Sequence, residues 1–406
     1  MTHRGQLVGL ALALSTGAAL SLGITRFSYG LLFPPMRADL GWSYTLVGAI
    51  NTANGLGYLM GALIAPRLLR RYGASRLLLM GAIAASVLMG LGGFLTGTGP
   101  WLMQRLLAGT ASALVFIAGG LLAVRLAALQ PAQAGFLMGL YYGGTGFGIV
   151  LSALLVPAVL AVAEQSPRGW AWAWWALTPA CFAATATLVW PARALQYLTP
   201  QPPASVTQAV AFRWQPLSYA LAGYAMFGVG YIGYMTFVIA LLREQGFSGQ
   251  AVTLFYALLG IAVLASTRIW AGMLDRCKGG QLLAILSALL GLATLMPALT
   301  SVGPVILASG MLFGGVFLSL VASTTALVQH NLPRPHWGAG ISAFTIVFAV
   351  GQIVGPTIVG WIADGPGGLA RGLLFSAVVL WVAAALAWRQ RALALPELSA
   401  AHPSPG

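Results

Sequence analysis

Apolar residues fall in long uninterrupted blocks along this chain, and polar and charged residues collect in the short breaks between them. Twelve blocks are long enough to cross a bilayer as helices, which takes about 20 residues each. They lie near 7–33, 43–65, 76–96, 100–124, 132–160 and 169–190, then 215–241, 249–270, 279–300, 303–328, 337–363 and 368–388. No strand-like alternation of apolar and polar positions runs through them, which argues against a membrane β-barrel. The pattern predicts an all-α membrane protein with twelve transmembrane helices.

Shifting the chain by 205 residues brings its two halves into register. Asp39-Leu-Gly41-Trp42-Ser43 then overlies Glu244-Gln-Gly246-Phe247-Ser248, and Gly55 overlies Gly260. Arg70-Arg71 overlies Asp275-Arg276, and Gly135 and Gly146 overlie Gly340 and Gly351. The expected organisation is two pseudo-symmetric six-helix bundles, residues 1–190 and 215–390. A proline-bearing polar linker, 191–214, joins them, and a tail, 391–406, follows. A duplicated membrane unit is the sequence mark of a carrier whose halves rock about a site between them.

Composition supports the membrane assignment: 59% of the residues are hydrophobic and 6% charged, against about 25% charged in soluble chains. The net charge of +14 would suit nucleic acid, but its distribution gives another reason. With a cytoplasmic N-terminus, the inner loops and tails hold 13 basic residues. The outer loops hold 4: Arg37, Arg168, Arg243 and Arg371. This is the positive-inside bias, which puts both termini of a multi-pass protein in the cytoplasm and accounts for the charge without a nucleic-acid partner. Residues 1–20 resemble a signal peptide, yet the apolar run continues to Phe33 and its repeat partner is the seventh span. Cys181 and Cys277 lie in separate halves, and His3, His330, His336 and His402 are scattered, so neither disulfide nor metal site is expected. No nucleotide-binding or peptidase motif is present, so neither an enzyme nor a cofactor is expected. A monomer in the bilayer is.

Ionised side chains at membrane depth are expensive and mark function. Arg26, Arg105 and Arg268 qualify, whereas all six acids (Asp39, Glu164, Glu244, Asp275, Asp364 and Glu397) fall at span ends or in loops. Cations without a carboxylate partner call for carbonyls, water, snorkelling or an incoming anion, and guanidinium matches a carboxylate with two donors. Arg268 precedes Asp275 by seven residues, about 10 Å of helix, so a gate or structural salt bridge, or snorkelling to the inner surface, is its alternative to anion binding. For Arg26 the alternatives are a gate or hydrogen bonds to carbonyls of a neighbouring helix. Arg105, close to Pro100, reads as a gate or packing residue. Asn51 and Asn54 share a helical face. With Tyr29, Tyr141, Tyr142, Tyr231, Tyr234, Phe348 and Gln352 they complete the candidate cavity, each with helix packing as its alternative role.

The six-plus-six arrangement resembles the major facilitator superfamily over essentially the whole chain. The stretch Pro66-Arg67-Leu68-Leu69-Arg70-Arg71-Tyr72-Gly73-Ala74-Ser75 resembles the inner-loop signature of that superfamily, with Arg70 in place of its acid. The second copy keeps Asp275-Arg276. The resemblance implies a gate latch at Arg70, Arg71, Asp275 and Arg276. Arg105 to Gly109 resembles the Arg-x-x-x-Gly element of the fourth helix, and Gly351-Gln352 to Gly355-Pro356 its glycine-proline kink. Gly23-Ile-Thr-Arg26-Phe27-Ser-Tyr29 followed by Phe33-Pro34 looks like the YbfB/YjiJ branch. Arg268, four residues before Gly272, is similar to an arginine of monocarboxylate transporters and the oxalate–formate antiporter, which implies carboxylate binding. The acid found one turn earlier in many monocarboxylate transporters is Leu264 here. The expectation is a transporter of a small organic anion, mono- or dicarboxylate, working by alternating access, with Arg268 binding the anion from the second half and Arg26 contributing from the first. A proton-coupled exporter of hydrophobic or cationic compounds is the alternative. It usually has an intramembrane acid and a glycine-proline kink in the fifth span, which here reads Gly143-Gly144-Thr145-Gly146-Phe147-Gly148.

Overall fold

A computed structural model describes residues 3–196, 214–333 and 336–393. The expected tail beyond 393 and the linker between 197 and 213 lie outside the described residues. Within them every regular element is helical. The first crossing is made by α1 (His3–Ala18) and α2 (Tyr29–Leu40), and α3 (Tyr44–Gly92) makes the second and third. The next three are α4 (Thr98–Ala128), α5 (Ala134–Val162) and α6 (Gly169–Leu195). In the second half, α7 (Ser218–Glu244) and α8 (Gly249–Ile269) precede the short α9 (Ala271–Arg276). Then follow α10 (Gln281–Leu299), α11 (Gly303–Asn331), α12 (Trp337–Ala363) and α13 (Gly368–Trp388).

Ten helical stretches are long and apolar enough to span a membrane by those criteria alone. The count reaches twelve because α3 is two crossings and because α6, 27 residues long, carries five tryptophans that lower its hydropathy. A ten-residue inner loop was expected within α3. Helix continues through it instead and reverses at Gly73, whose φ of 76° belongs to the left-handed region that glycine adopts freely. Likewise α6 runs five residues into the expected linker, to Leu195.

The repeat is visible in backbone detail. Gly41 (φ 64°) and Gly246 (φ 85°), 205 residues apart, end the first and seventh crossings in the left-handed conformation. Ser43 and Ser248 then cap the next helices, accepting from the amides of Leu46 at 3.1 Å and Ala251 at 3.2 Å. The two broadest seams between the bundles are α3 against α12 and α5 against α8, and the 205-residue shift maps one onto the other. Both rest on glycine. A Cβ on Gly48 would lie 2.2 Å from the Pro356 carbonyl oxygen, and one on Gly146 2.5 Å from that of Gly260. Small residues at membrane-helix contacts let backbones approach this closely.

Candidate functional site

The first crossing is broken at membrane depth. After α1 the chain widens into a π-helical turn, Ala19–Ile24, then passes through residues 25–28 before α2 starts. In the widened turn Thr25 N–H reaches Leu20 O at 3.0 Å and Phe27 N–H reaches Leu22 O at 2.9 Å. Such interruptions survive in a bilayer only where protein groups take up the freed backbone. Here Arg105 Nη1 donates to Thr25 O at 2.9 Å, and the Tyr256 hydroxyl, from the other bundle, donates to Phe27 O at 2.7 Å.

Arg26 projects from this break and is 5% exposed. Its Nη2 donates to Gln352 Oε1 at 2.5 Å, the same oxygen that accepts from the Tyr231 hydroxyl at 3.1 Å. Its guanidinium also lies 5.5 Å from the centre of the Tyr58 ring. Three of the expected site residues, from the first, seventh and eleventh crossings, thus meet between the bundles. Arg105 is 1% exposed and stands over the Tyr29 ring at 4.8 Å. Among the described residues no carboxylate meets either arginine. Arg26 Nε and Arg105 Nε and Nη2 are buried without a hydrogen-bond partner. A buried cation left in this condition costs several kcal/mol, by the order of magnitude known for broken buried pairs.

Asn51 Nδ2 donates to Thr236 Oγ1 at 2.7 Å across the bundle interface, and Asn54 Nδ2 donates to Arg105 O at 3.1 Å. Both side-chain oxygens remain unpaired. The Tyr29 hydroxyl is spent on Val47 O, that of Tyr141 on Phe116 O, and that of Tyr234 on Ser309. Phe348 stacks with Tyr224, Phe227 and Tyr231, and Tyr142 is 37% exposed beside Phe116. Tyr141, Tyr234 and Phe348 are therefore anchored in packing contacts.

Arg268 stands apart. It is exposed near the end of α8 and bonded to no described residue. Tyr256 of the same helix already reaches the broken segment, and twelve further residues place Arg268 about 18 Å along the axis. In this conformation Arg26 and Arg268 do not grip one small solute together. Arg70, Arg71, Asp275 and Arg276 are likewise exposed, with Arg71 lying over the Tyr72 ring at 5.3 Å.

The opposite end is shut by a latch that sequence reading did not foresee. Asp364, just past α12, accepts from the Tyr44 amide at 2.7 Å, the Thr45 amide at 2.8 Å and the Thr45 hydroxyl at 2.6 Å. It thereby serves the start of α3 in the other bundle. The Tyr44 hydroxyl donates to Glu244, and Arg37 lies 3.8 Å over the Tyr44 ring. Partial burial pushes the Asp364 carboxyl up, but the Thr45 hydroxyl, the two amides and Arg37 outweigh it and hold it below its ordinary value. Tyr58, Thr236 and Tyr256 were also missed. Tyr58 follows Asn54 by one turn and could have been read from that shared face.

The family model described as "Uncharacterised MFS-type transporter YbfB" matches residues 18–388. A protein of Agrobacterium vitis named "Putative tartrate transporter" is 33% identical over 149 residues, which are 36% of this chain and 34% of that protein. The match thus spans about a third of that relative's length. Among solved structures, a point mutant of the nucleoside transporter NupG superposes with a TM-score of 0.68 at 12% identity, covering 93% of this chain and 98% of that one. A bacterial homologue of the human lysosomal transporter Spinster, inward-facing and unoccupied, gives 0.66 at 16% identity, covering 96% and 97%. A point mutant of the Escherichia coli fucose:proton symporter FucP gives 0.59 at 13%, covering 94% and 97%. At these identities the likeness to the three structures is one of fold.

Proposed function

Since this chain belongs to the YbfB-type family of major facilitator transporters, we propose that it carries a small organic anion, a mono- or dicarboxylate, across the bacterial inner membrane by alternating access. The observation that carries this reading is the pair of buried arginines meeting at the break in the first crossing, with unfilled donors and, among the described residues, no carboxylate partner. The start of α2 adds to their field, because its first residues, Tyr29 and Gly30, border the same crevice as Arg26. A helix N-terminus favours anions, and broken helices present such ends to solutes in other carriers. The name of the partial relative from Agrobacterium vitis supports a carboxylate cargo.

The positive-inside bias assigns the Asp364 end to the outside and Arg268 to the cytoplasmic side. In this arrangement Arg268 receives the anion at the inner mouth, and Arg26 holds it at mid-depth. There a carboxylate oxygen takes the place of Gln352 Oε1. Neutralising Arg26 then lets the bundles close around the solute. Purified protein in proteoliposomes is tested with labelled tartrate, succinate and lactate. Arg26→Gln is expected to abolish uptake while the thermal unfolding profile stays cooperative. Arg268→Ala is expected to weaken apparent affinity from its own side. Normal uptake of every anion by a folded Arg26→Gln variant would overturn the assignment.

A further inference from the structure

We infer that the solute is a hydroxycarboxylate and that Asn51, supported by Asn54, recognises its hydroxyl; this rests on the anion site proposed above. Arg26, Tyr29, Gly30, Asn51, Met235 and Thr236 border one crevice between the bundles, too tight in this closed arrangement to admit a water molecule. Arg26 and Asn51 are each 5% exposed, and each combines a bonded polar atom with a buried unfilled one. The unfilled function of Arg26 is a donor, Nε, whereas that of Asn51 is an acceptor, Oδ1. A carboxylate alone satisfies the first and leaves the second unpaired.

Asn54 strengthens the case. Its Nδ2 is bonded to the Arg105 carbonyl oxygen, which can only accept, so its amide orientation is fixed and Oδ1 is a genuine unfilled acceptor. Asn51 and Asn54 lie three residues apart on one face of α3, so two acceptors stand in a row. A solute meeting both needs must combine a carboxylate with a hydrogen-bond donor. An ammonium would bring a third cation among Arg26 and Arg105. A hydroxyl donates without adding charge.

In the closed protein the second bundle fills one donor of each residue. Gln352 places an amide oxygen on Arg26 Nη2, where a carboxylate oxygen would bind, and the Thr236 hydroxyl oxygen accepts from Asn51 Nδ2, which leaves Asn51 Oδ1 for the solute. Both come from the second bundle, so both withdraw when the bundles part and leave the two partners open to solute. A site that hydrogen-bonds a buried hydroxyl discriminates strongly against the analogue lacking it, because its own polar groups are then left unpaired.

The test uses lactate, propionate and alanine, which differ only in the group at carbon 2, together with tartrate and succinate as the dicarboxylate pair. Each competes for uptake in proteoliposomes and is scored by thermal stabilisation of the purified protein. Lactate and tartrate are expected to bind at least about tenfold more tightly than propionate and succinate, with alanine inert. Asn51→Leu should bring lactate and propionate within about threefold of each other by weakening lactate alone, while Thr236→Val preserves the preference. Equal binding of lactate and propionate by the unaltered protein would overturn the hydroxyl assignment and leave the anion site intact. Should Asn51→Leu not fold, that comparison decides alone. Failure of every carboxylate to bind would remove the anion site and this inference together.

Discussion

Replacing Asp364 with asparagine should unlatch the end of the molecule that this structure shows closed. Asp364 satisfies two of the four amides that the start of α3 leaves without intrahelical partners, and it takes the Thr45 hydroxyl as well. Asparagine keeps the shape but loses the charge, and its amide nitrogen faces a donor. Losing a helix cap costs about 0.5–2 kcal/mol, and removing a negative charge from a helix start about 0.3–1 kcal/mol. Because the carboxylate and the helix belong to different bundles, the loss falls on the equilibrium between closed and open states. A combined value of about 1.5 kcal/mol shifts that ratio roughly tenfold. Spin labels at Thr98 and Ser301, exposed positions at this end of each bundle, would report the change as a long-distance population. The pH dependence has a definite sign. Asp364 is held below its ordinary value of 3.8 in the closed state, so its contribution to closure is complete above that value and fades only as pH falls through the lower one. The distance distribution should therefore stay constant from pH 8 to pH 5 in the unaltered protein. An Asp364→Asn distribution indistinguishable from that of the parent would refute the latch.

Two contrasting glycines test the seam geometry. A methyl on Gly48 would meet the Pro356 carbonyl oxygen of the other bundle at 2.2 Å, whereas one on Gly144 would meet Ser15 O within its own bundle at 1.9 Å. Gly48→Ala should open the labelled end with little change in melting temperature. Gly144→Ala should lower the melting temperature, by overpacking worth about 1–3 kcal/mol; the reverse pattern would contradict the seam assignment. Tyr256→Phe leaves Phe27 O without its partner in the opposite bundle, a loss of about 1–3 kcal/mol. It should move the same label distances towards separation, and an unaltered distribution would show that water replaces the hydroxyl.

Much of the candidate site was legible from one rule, that polar groups at membrane depth have a purpose. It selected Arg26, Tyr231 and Gln352, which the fold joins through a single amide oxygen. The rule could not rank depth. Sequence places a residue only relative to the ends of its span, and an arginine twelve positions beyond Tyr256 lies too far along α8 to share a small solute with Arg26. The break in the first crossing was less legible still. No proline lies between Ala19 and Ser28, and the polar residues there, Ser21, Thr25, Arg26 and Ser28, are as compatible with continuous helix as with a break. Its cause is tertiary: Gly23 packs so closely that a Cβ would meet Gly148 Cα at 2.6 Å, and Thr25 O is captured by an arginine 80 residues away. The Asp364 latch was hidden for the same reason, since a carboxylate at a span end gives no sign of which helix start it serves.

The duplication explains where the site is, and the departures from it explain what the site can do. Adding 205 to Arg26 gives Tyr231, and adding it to Asn51 gives Tyr256. All four belong to the observed network: Arg26 and Tyr231 meet on Gln352, while Asn51 and Tyr256 each reach into the opposite bundle. Symmetry alone would bring these positions together about the pseudo-twofold axis whatever side chains they carried. The first bundle has placed a cation and an amide there, and the second has placed two phenols. The same asymmetry holds at the gate, where the position 205 residues before Asp364 is Val159, so only one of the two related seams has a carboxylate latch. On the anion reading proposed above, a solute held by the cation and amide of the first bundle would be closed upon by hydroxyls of the second. That division would have the first bundle select the charge and the second sense that the charge is filled.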